Sequence, residues 1–174
     1  MSSKTSEAIS QAVAAMTERA GKYLTFKLGV EEFGLEILKV QEIIKMMEIT
    51  KVPRTPAFVR GVINLRGKVI PVVELRLKFD MPAVATTDKT CVIVVQVSHS
   101  SGMVTMGAIV DEVSEVLDIN GELIAPAPEF GSSVDTDFIL GMGKIGKRVV
   151  MLLDVDKVLS RKELEKVTAA SKAA

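Results

Sequence analysis

The sequence predicts an all-β fold, a barrel or a sandwich, with short helices near the two ends of the chain. Three observations favour this fold class. Short runs rich in β-branched residues follow one another at close intervals, and Gly, Asn or Ser bounds them. The chain repeats itself, so that two halves share one order of strands and turns. Hydrophobic residues make up 48% of the 174 residues, which is enough apolar surface to exclude global disorder.

The helices are predicted at the two ends. Residues 1–20 can form a short amphipathic helix, because Ile9, Val13 and Met16 recur at helical spacing. At the other end, residues 156–168 carry Lys and Glu at helical spacing around three apolar side chains. Both segments flank the strand-rich part of the chain.

The strands are predicted from alternation and from β-branched composition. Residues 23–28 alternate between apolar and polar side chains, whereas residues 29–34 have the composition of a turn. Residues 40–44 fit either a strand or a single helical turn, and two prolines mark a loop after them. The remaining predicted strands cover residues 35–38, 61–65, 68–73, 90–97, 104–110 and 148–155.

An internal repeat is the most informative feature of the sequence. Gly34 matches Gly107 at an offset of 73 residues (107 − 34), and Gly61 matches Gly141 at an offset of 80 (141 − 61), after a longer loop. The other matched positions are Val40-Gln-Glu-Ile43 with Val113-Ser-Glu-Val116, Pro53 with Pro126, Phe58 with Phe138, and residues 69–75 with residues 149–155. Matching glycines, prolines and acidic residues favour a duplication over chance.

The repeat defines the predicted domain organisation. An N-terminal arm or helix covers residues 1–19, and a single domain covers residues 20–160, with halves at about 22–82 and 90–158. A helical tail covers residues 161–174. A unit of roughly 60–70 residues is only marginally stable by itself. We therefore expect the two halves to share one core.

Composition and charge exclude several classes of function. Lys and Arg number 22, Asp and Glu number 22, and aromatic residues make up 4%. A general nucleic-acid-binding protein needs a basic face and stacking rings. One Cys and one His exclude multi-thiolate and two-histidine metal sites. We see no apolar signal-peptide region and no run long enough to span a membrane. We expect a cytosolic protein with no metal, no nucleic acid and no membrane insertion.

No constellation of residues predicts catalysis. Residues 141–146 fit the pattern G-x-G-x-x-G, but a strand-like run follows in place of the helix that a phosphate site requires. His99 lies in a predicted polar loop without a partner to activate it. Cys91 opens an apolar strand and is predicted to be an inert core residue. The acidic residues within 111–118 lack calcium-loop spacing and are predicted to form a solvated face. We expect no enzyme activity.

Arg66 and Glu42 stand apart from these motifs. Arg66 lies between two apolar runs, and the matching position in the second half is Gly146. If the fold required an arginine there, the second half would need one too. On residue chemistry alone, an ordinary exposed arginine and a functional one remain equally open. Glu42 matches Glu115, so a structural role for it is at least as well supported as a functional one.

Several stretches, of which Asn-Leu-Arg-Gly at positions 64–67 is the most specific, carry a family resemblance. The matching stretches are residues 34–43, 52–67, 70–75, 109–116 and 151–159. Together they resemble the CheW family, the coupling proteins of bacterial chemotaxis. The resemblance spans residues 20 to 160.

The resemblance implies two intertwined five-stranded barrels of SH3-like type and a catalytically inert adaptor without a cofactor. Such an adaptor links the cytoplasmic tip of methyl-accepting chemoreceptors, a helical hairpin, to the regulatory domain of the histidine kinase CheA. We expect a monomer when free, in the cytoplasm, that is recruited to membrane-associated receptor arrays. The alternative is an SH3-like module that binds a peptide in another signalling pathway and has an aromatic-lined groove.

The resemblance also implies two contact surfaces. The receptor-binding candidates are Val40, Glu42, Ile43, Asn64, Leu65 and Arg66. In the family, the positions of Glu42 and Arg66 form an ion pair. The kinase-binding candidates are Arg60, Gly61, Lys68 and Val69. If Gly61 supports a contact, Gly61→Asp should weaken kinase binding and leave the melting temperature almost unchanged.

Overall fold

The computed structural model describes residues 21–99, 102–127 and 137–173. The strands in these residues are β1 (Lys22–Leu28), β2 (Glu31–Glu36), β3 (Val40–Lys45), β4 (Val59–Leu65), β5 (Lys68–Glu74), β6 (Cys91–His99), β7 (Gly102–Val110), β8 (Glu112–Asp118), β9 (Ile124–Ala125), β10 (Ile139–Ile145) and β11 (Arg148–Leu153). The helices are α1 (Leu75–Lys78), α2 (Val155–Val158) and α3 (Arg161–Ala173), with 3₁₀ turns at Ile37–Lys39 and Gly121–Leu123. The predicted all-β class is confirmed, and the helix predicted over residues 1–20 lies outside the described residues.

The strands form two mixed sheets, and each sheet contains strands from both halves of the repeat. One sheet has six strands in the order β8-β1-β2-β11-β10-β9, and the other has five in the order β3-β6-β7-β5-β4. The first-half hairpin β1–β2 thus lies among second-half strands, and the second-half hairpin β6–β7 lies among first-half strands. Two parallel strand pairs, β2 with β11 and β5 with β7, join each exchanged hairpin to the strands of the other half. This exchange is the intertwining that the family resemblance implies.

One apolar core extends through both halves. Its buried residues include Phe26 and Leu28 of β1, Ile93 of β6 and Leu153 of β11. Four phenylalanines stack in a row with ring centroids 5.3 to 5.7 Å apart, and they are Phe26, Phe33, Phe79 and Phe138. Stacked rings at this spacing add to the gain from burial. Because both halves supply side chains to the same core, neither half can bury its apolar face by itself.

The repeat is visible in matching irregularities of the two sheets. The pairing of β4 with β5 shifts register at Gly61, and the pairing of β10 with β11 shifts at Gly141. At Gly61 an added Cβ would lie 2.1 Å from the carbonyl oxygen of Thr50, and at Gly141 it would lie 2.5 Å from Ile124 Cγ2. Both glycines therefore allow a β-bulge with a close approach of a neighbouring segment.

The turn predicted over residues 29–34 is wrong in length, since β2 already begins at Glu31. Gly34 lies inside that strand, where an added Cβ would lie 2.9 Å from a methyl group of Leu152. The glycine marks close packing between strands and not a turn.

The helical segment predicted over residues 156–168 is divided by a capping motif. The Glu163 N–H donates to Ser160 Oγ at 3.1 Å, and the Ser160 N–H donates to the Glu163 carboxylate at 2.8 Å. This reciprocal pair is a capping box that starts α3. Leu164 and Val167 of α3 are buried in the main core, so the predicted tail packs onto the barrels.

Candidate functional site

The candidate residues lie along the seam of the five-stranded sheet, which we define as the line where its outer strands β3 and β4 approach each other. Thr50, after β3, pairs with Val62 of β4 through two backbone hydrogen bonds of 2.8 Å. This bridge joins the two edges and closes the sheet into a barrel. Residues on β3 and on the β4–β5 hairpin thus come together although they are far apart in sheet order.

Glu42 on β3 and Arg66 in the β4–β5 turn form an ion pair across the seam, in which Arg66 Nη2 donates to Glu42 Oε1. The structure therefore contains the pair that the resemblance implies. The Arg66 side chain stays 67% exposed and that of Glu42 26% exposed. An exposed pair contributes only about 0–1 kcal/mol to stability. Most of the guanidinium surface remains available to a partner.

The backbone of Arg66 adopts a conformation that arginine rarely takes. Its φ is 52° and that of Gly67 is 88°, as in a two-residue hairpin turn that favours Asn or Gly at its first position. The Gly67 N–H donates to the Asn64 side-chain oxygen at 2.9 Å and supports the turn. The second half has Gly146 at the matching position, with a φ of 59°. The first half keeps an arginine there at a cost of about 1–2 kcal/mol.

The second half also has a contact between an arginine and the matching glutamate. Glu115 matches Glu42, and its Oε1 lies 3.7 Å from Arg148 Nη2. Arg148 Nη1 also lies 3.1 Å from Glu32 Oε1. Arg148 stands two residues beyond the position that matches Arg66, so residue-by-residue comparison misses it. The second-half barrel therefore also has an arginine beside its glutamate, and the expectation that it does without one is wrong. The first half is distinguished by an arginine at a turn position that favours glycine.

The other receptor-binding candidates surround the ion pair. Ile43, next to Glu42 on β3, is 45% exposed, and Asn64 at the end of β4 is exposed. Val40 and Leu65 are half-buried and pack against the apolar clusters below. The structure thus places all six candidates on two segments that the ion pair joins.

The kinase-binding candidates lie on β4 and β5 of the same barrel. Lys68 is exposed and Val69 is 40% exposed, both at the start of β5. Arg60 Nη1 donates to Glu74 Oε2 at 2.7 Å, and the Glu74 side chain is only 7% exposed. The buried carboxylate holds the Arg60 guanidinium in place.

Gly61 is buried and serves the bulge. It has a φ of 143°, and its added Cβ would meet the Thr50 oxygen that accepts a hydrogen bond from the Val62 N–H. Any side chain must therefore displace the bridge that closes the barrel. The expectation that Gly61→Asp leaves the melting temperature almost unchanged is wrong for this geometry. Its part in kinase binding stays a prediction, and in that case Gly61 acts by supporting the adjacent backbone.

Comparison with known proteins identifies the family. The family model of the CheW-like domain matches residues 22–163. This chain belongs to the CheW family. It is 41% identical over 151 residues to the chemotaxis protein CheW of Klebsiella aerogenes, which covers 87% of this chain and 89% of that protein. It is 33% identical to the probable chemotaxis protein CheW of Rhizobium etli, with coverages of 90% and 99%.

A solved structure agrees with this CheW-family assignment. The chain is similar to the scaffolding protein TtCheW from Thermoanaerobacter tengcongensis, with a TM-score of 0.72 and 34% identity. The match covers 82% of this chain and 96% of that structure. The chain is a chemotaxis adaptor of the CheW family. The relatives are named as chemotaxis or scaffolding proteins, and none of these names refers to an enzyme.

The glycine-rich motif and the cysteine of this CheW-family chain lie in structural positions that offer no binding or catalytic geometry. Residues 141–146 belong to the β10–β11 hairpin, so no helix N-terminus faces the glycines. Cys91 is buried, and burial raises the pKa of its thiol. Within the described residues, no group of three or more His, Cys, Asp or Glu could hold a metal ion. In the same residues, no helix has the length and apolar character to cross a membrane.

Two ion pairs that join the halves could not be predicted from the sequence. Arg76 of α1, whose side chain is 10% exposed, donates through Nε to Asp111 at 2.8 Å and through Nη2 to the same carboxylate. The Gly29 N–H also donates to Asp111, at 2.7 Å. The hydrogen bond from Arg76 holds the pKa of Asp111 below its usual value. With reversed signs, Asp156 of α2 accepts a hydrogen bond from Lys39 at 2.9 Å. Asp111, predicted on a solvated face, is thus an internal anchor.

Proposed function

We propose that this chain is a non-catalytic adaptor that couples methyl-accepting chemoreceptors to the histidine kinase CheA. The observation that carries the proposal is Arg66, an exposed arginine with a positive φ at a turn position where the second half has Gly146. Backbone strain of this kind persists where the side chain has a use. Free in the cytoplasm the adaptor is a monomer, and it joins membrane-associated receptor arrays through its two contact surfaces.

The receptor surface consists of the Glu42–Arg66 pair with Ile43, Asn64 and the half-buried residues beside them. An arginine has five N–H donors, and Glu42 takes one of them in the structure. The remaining donors can bind a carboxylate or a carbonyl on the receptor hairpin, while the exposed part of Ile43 supplies an apolar contact. Glu42 fixes the guanidinium, so less side-chain freedom is lost when the receptor binds.

The kinase surface is the outer part of β4 and β5. Lys68 and the exposed part of Val69 provide direct contacts, Arg60 is held by Glu74, and Gly61 shapes the strand. The regulatory domain of CheA, which has the same barrel fold in this family, is the partner we assign to it. Because both surfaces use the β4–β5 hairpin, the adaptor holds receptor and kinase at a fixed separation.

The test is Arg66→Ala, assayed with purified CheA regulatory domain, a receptor-tip fragment and reconstituted kinase activity. We expect receptor binding and kinase activation to be lost, with the melting temperature and CheA binding retained. Arg148→Ala is the matched control, because it removes the arginine–glutamate contacts of the other barrel and should leave receptor binding intact. Normal receptor binding and kinase activation by Arg66→Ala would remove this residue from the site.

The double variant Arg66→Glu with Glu42→Arg separates two versions of the receptor surface. If the ion pair only shapes the surface, the exchanged pair should restore much of the binding that Arg66→Ala loses. If Arg66 contacts the receptor itself, the exchanged pair should fail to bind.

The alternative function, peptide binding by an SH3-like module, needs an aromatic-lined groove. Tyr23, Phe26 and Phe33 are buried, and the other aromatic side chains that the structure describes are half-buried and pack against the main core. The described part of the chain therefore offers no exposed aromatic side chain for such a groove.

A further inference from the structure

Arg54 shares the unusual backbone conformation of Arg66, and nothing in the contacts above explains it. Among the described residues, the non-glycine residues with positive φ are Arg54 at 60°, Arg66 at 52° and Asp80 at 58°. Asp80 follows α1, and aspartate tolerates this conformation better than most residues. The two arginines are therefore the unfavourable cases, and Arg66 belongs to the proposed receptor surface.

Arg54 lies in an exposed turn of the connection between β3 and β4. Pro53 occupies the first central position of this turn and Arg54 the second, where a positive φ normally selects glycine or asparagine. Thr55 Oγ1 donates to the carbonyl of Val52 at 3.0 Å and helps to hold the turn. The turn would therefore form at least as well with glycine in place of the arginine.

The Arg54 guanidinium has no partner within the described residues. The residue is exposed, and it forms neither an ion pair nor a hydrogen bond there. The neighbouring arginines of the same barrel, Arg60 and Arg66, pair with Glu74 and Glu42. Since Arg54 adds strain and has no ion pair or hydrogen bond with the part of the chain that the structure describes, its side chain indicates a contact outside the chain.

The charge of the surrounding segment indicates the chemistry of that contact. Residues 39–68 contain seven Lys or Arg and two Glu, an excess of five positive charges (7 − 2). Two of these cations, Lys39 and Arg60, pair with Asp156 and Glu74 outside the segment, which leaves an excess of three (5 − 2). The matching residues 112–148 contain three Lys or Arg and seven Asp or Glu, an excess of four negative charges (7 − 3). One barrel plan thus accommodates both signs, so the fold does not demand the basic charge. A basic segment with an unpaired arginine is complementary to an acidic protein surface.

The anchoring of the turn favours the kinase over the receptor. Val52 packs against Val62 of β4, so the connection is fixed next to Gly61. Arg66 lies five residues beyond Gly61, about 16 Å along an extended chain at 3.3 Å per residue. The turn that contains Arg54 is therefore beside Arg60 and Gly61, two of the four predicted kinase contacts, whereas Lys68 and Val69 lie at the Arg66 end of the hairpin.

We propose that Arg54 is a further kinase-contact residue, and that its guanidinium pairs with a carboxylate on an acidic face of the CheA regulatory domain. The planar fork of arginine binds a carboxylate through two parallel hydrogen bonds. This inference rests on the proposed function, because it requires CheA as the partner.

The experiment compares Arg54→Gly with Arg66→Gly in the full chain, since both changes relieve the same backbone strain. Arg54→Gly should bind purified CheA regulatory domain about tenfold more weakly at low salt, with a smaller difference at high salt. It should bind the receptor-tip fragment normally and melt at or above the wild-type temperature. Arg66→Gly should show the opposite binding pattern. Arg54→Lys keeps the charge without the fork and should recover part of the affinity.

Each result separates this inference from the proposed function. If the wild-type chain does not bind the CheA domain, the proposed function fails without reference to any variant. If the wild-type chain binds and Arg54→Gly binds equally well, only the role of Arg54 fails. Weaker receptor binding with unchanged kinase binding, or a clear fall in the melting temperature of Arg54→Gly, would also overturn it.

Discussion

Replacing Arg66 with alanine or with glycine should separate its backbone cost from its binding role. Both substitutions remove the same ion pair with Glu42, which is largely exposed and contributes about 0–1 kcal/mol. They differ only in the β-carbon. Alanine keeps it and therefore keeps the unfavourable φ of 52°, whereas glycine adopts that conformation without strain.

The size of the difference follows from two opposing contributions. Relief of the left-handed conformation is worth about 1–2 kcal/mol. Against this, glycine gives the unfolded chain more conformational freedom, which lowers the stability of the folded state by about 0.4–1 kcal/mol. Taking the middle of each range (1.5 − 0.7), Arg66→Gly should be more stable than Arg66→Ala by about 0.8 kcal/mol, or about 2–3 °C in melting temperature for a chain of this size. After the lost ion pair is included, Arg66→Gly should melt close to the wild type.

The assay is thermal and urea unfolding together with titration of a receptor-tip fragment. Both Arg66 variants should lose receptor binding. Gly146→Ala is the mirror control, because it puts a β-carbon at a φ of 59° where no atom lies within 4 Å. It should lower stability by about 1 kcal/mol and leave receptor binding unchanged. Equal stability of the two Arg66 variants, or no cost in Gly146→Ala, would refute the strain argument, and receptor binding by Arg66→Gly would refute the functional one.

Three further predictions concern the fold that carries the site. Asp111→Asn should cost about 2–4 kcal/mol at neutral pH by leaving Arg76 without its counter-charge. Because the folded-state pKa of Asp111 is lowered, this stabilisation is present above the unfolded pKa of about 3.9 and is lost as pH falls through the folded value, so urea midpoints of the variant and the wild type should converge in acid. Gly61→Ala should cost about 2–4 kcal/mol, whereas Gly121→Ala, with open space around its Cβ, should stay within about 0.5 kcal/mol of the wild type. Removal of residues 138–174 deletes β10 and β11 and should unfold the remainder, which a cooperative melt of that fragment would contradict.

Local sequence patterns predict most of the strands, but they do not predict the order of the strands in the sheets. The β-branched runs locate β4 to β7 within a few residues, because alternation and bounding glycines are local properties. The pairing of β2 with β11 places Leu35 opposite Leu153, and the sequence near either residue does not indicate which strand it pairs with. The repeat indicates a shared core, and only the family resemblance indicates that the halves exchange strands.

The site was partly visible in the sequence for a similar reason. Arg66 could be singled out because the repeat supplies Gly146 for comparison, and the backbone explains the contrast. Arg54 could not, because its significance depends on a φ value and on the absence of a partner for its side chain among the described residues. A proline followed by an arginine is compatible with several turns, so the dipeptide alone does not predict a positive φ.

The repeat is informative about contacts only when residues are compared in pairs. Arg76 of α1 bonds Asp111, while Asp156 at the position of α2 that matches Arg76 bonds Lys39, so the sign at this position is reversed and the link between the halves is kept. An ion pair requires complementary charges and does not require a particular residue on either side. A missing arginine in one half is therefore weak evidence against a structural role. A positive φ is a property of one residue, and no change elsewhere in the chain can compensate for it. The presence of Arg66 in one turn where the matching turn has Gly146 is therefore the stronger evidence that the arginine side chain is kept for binding.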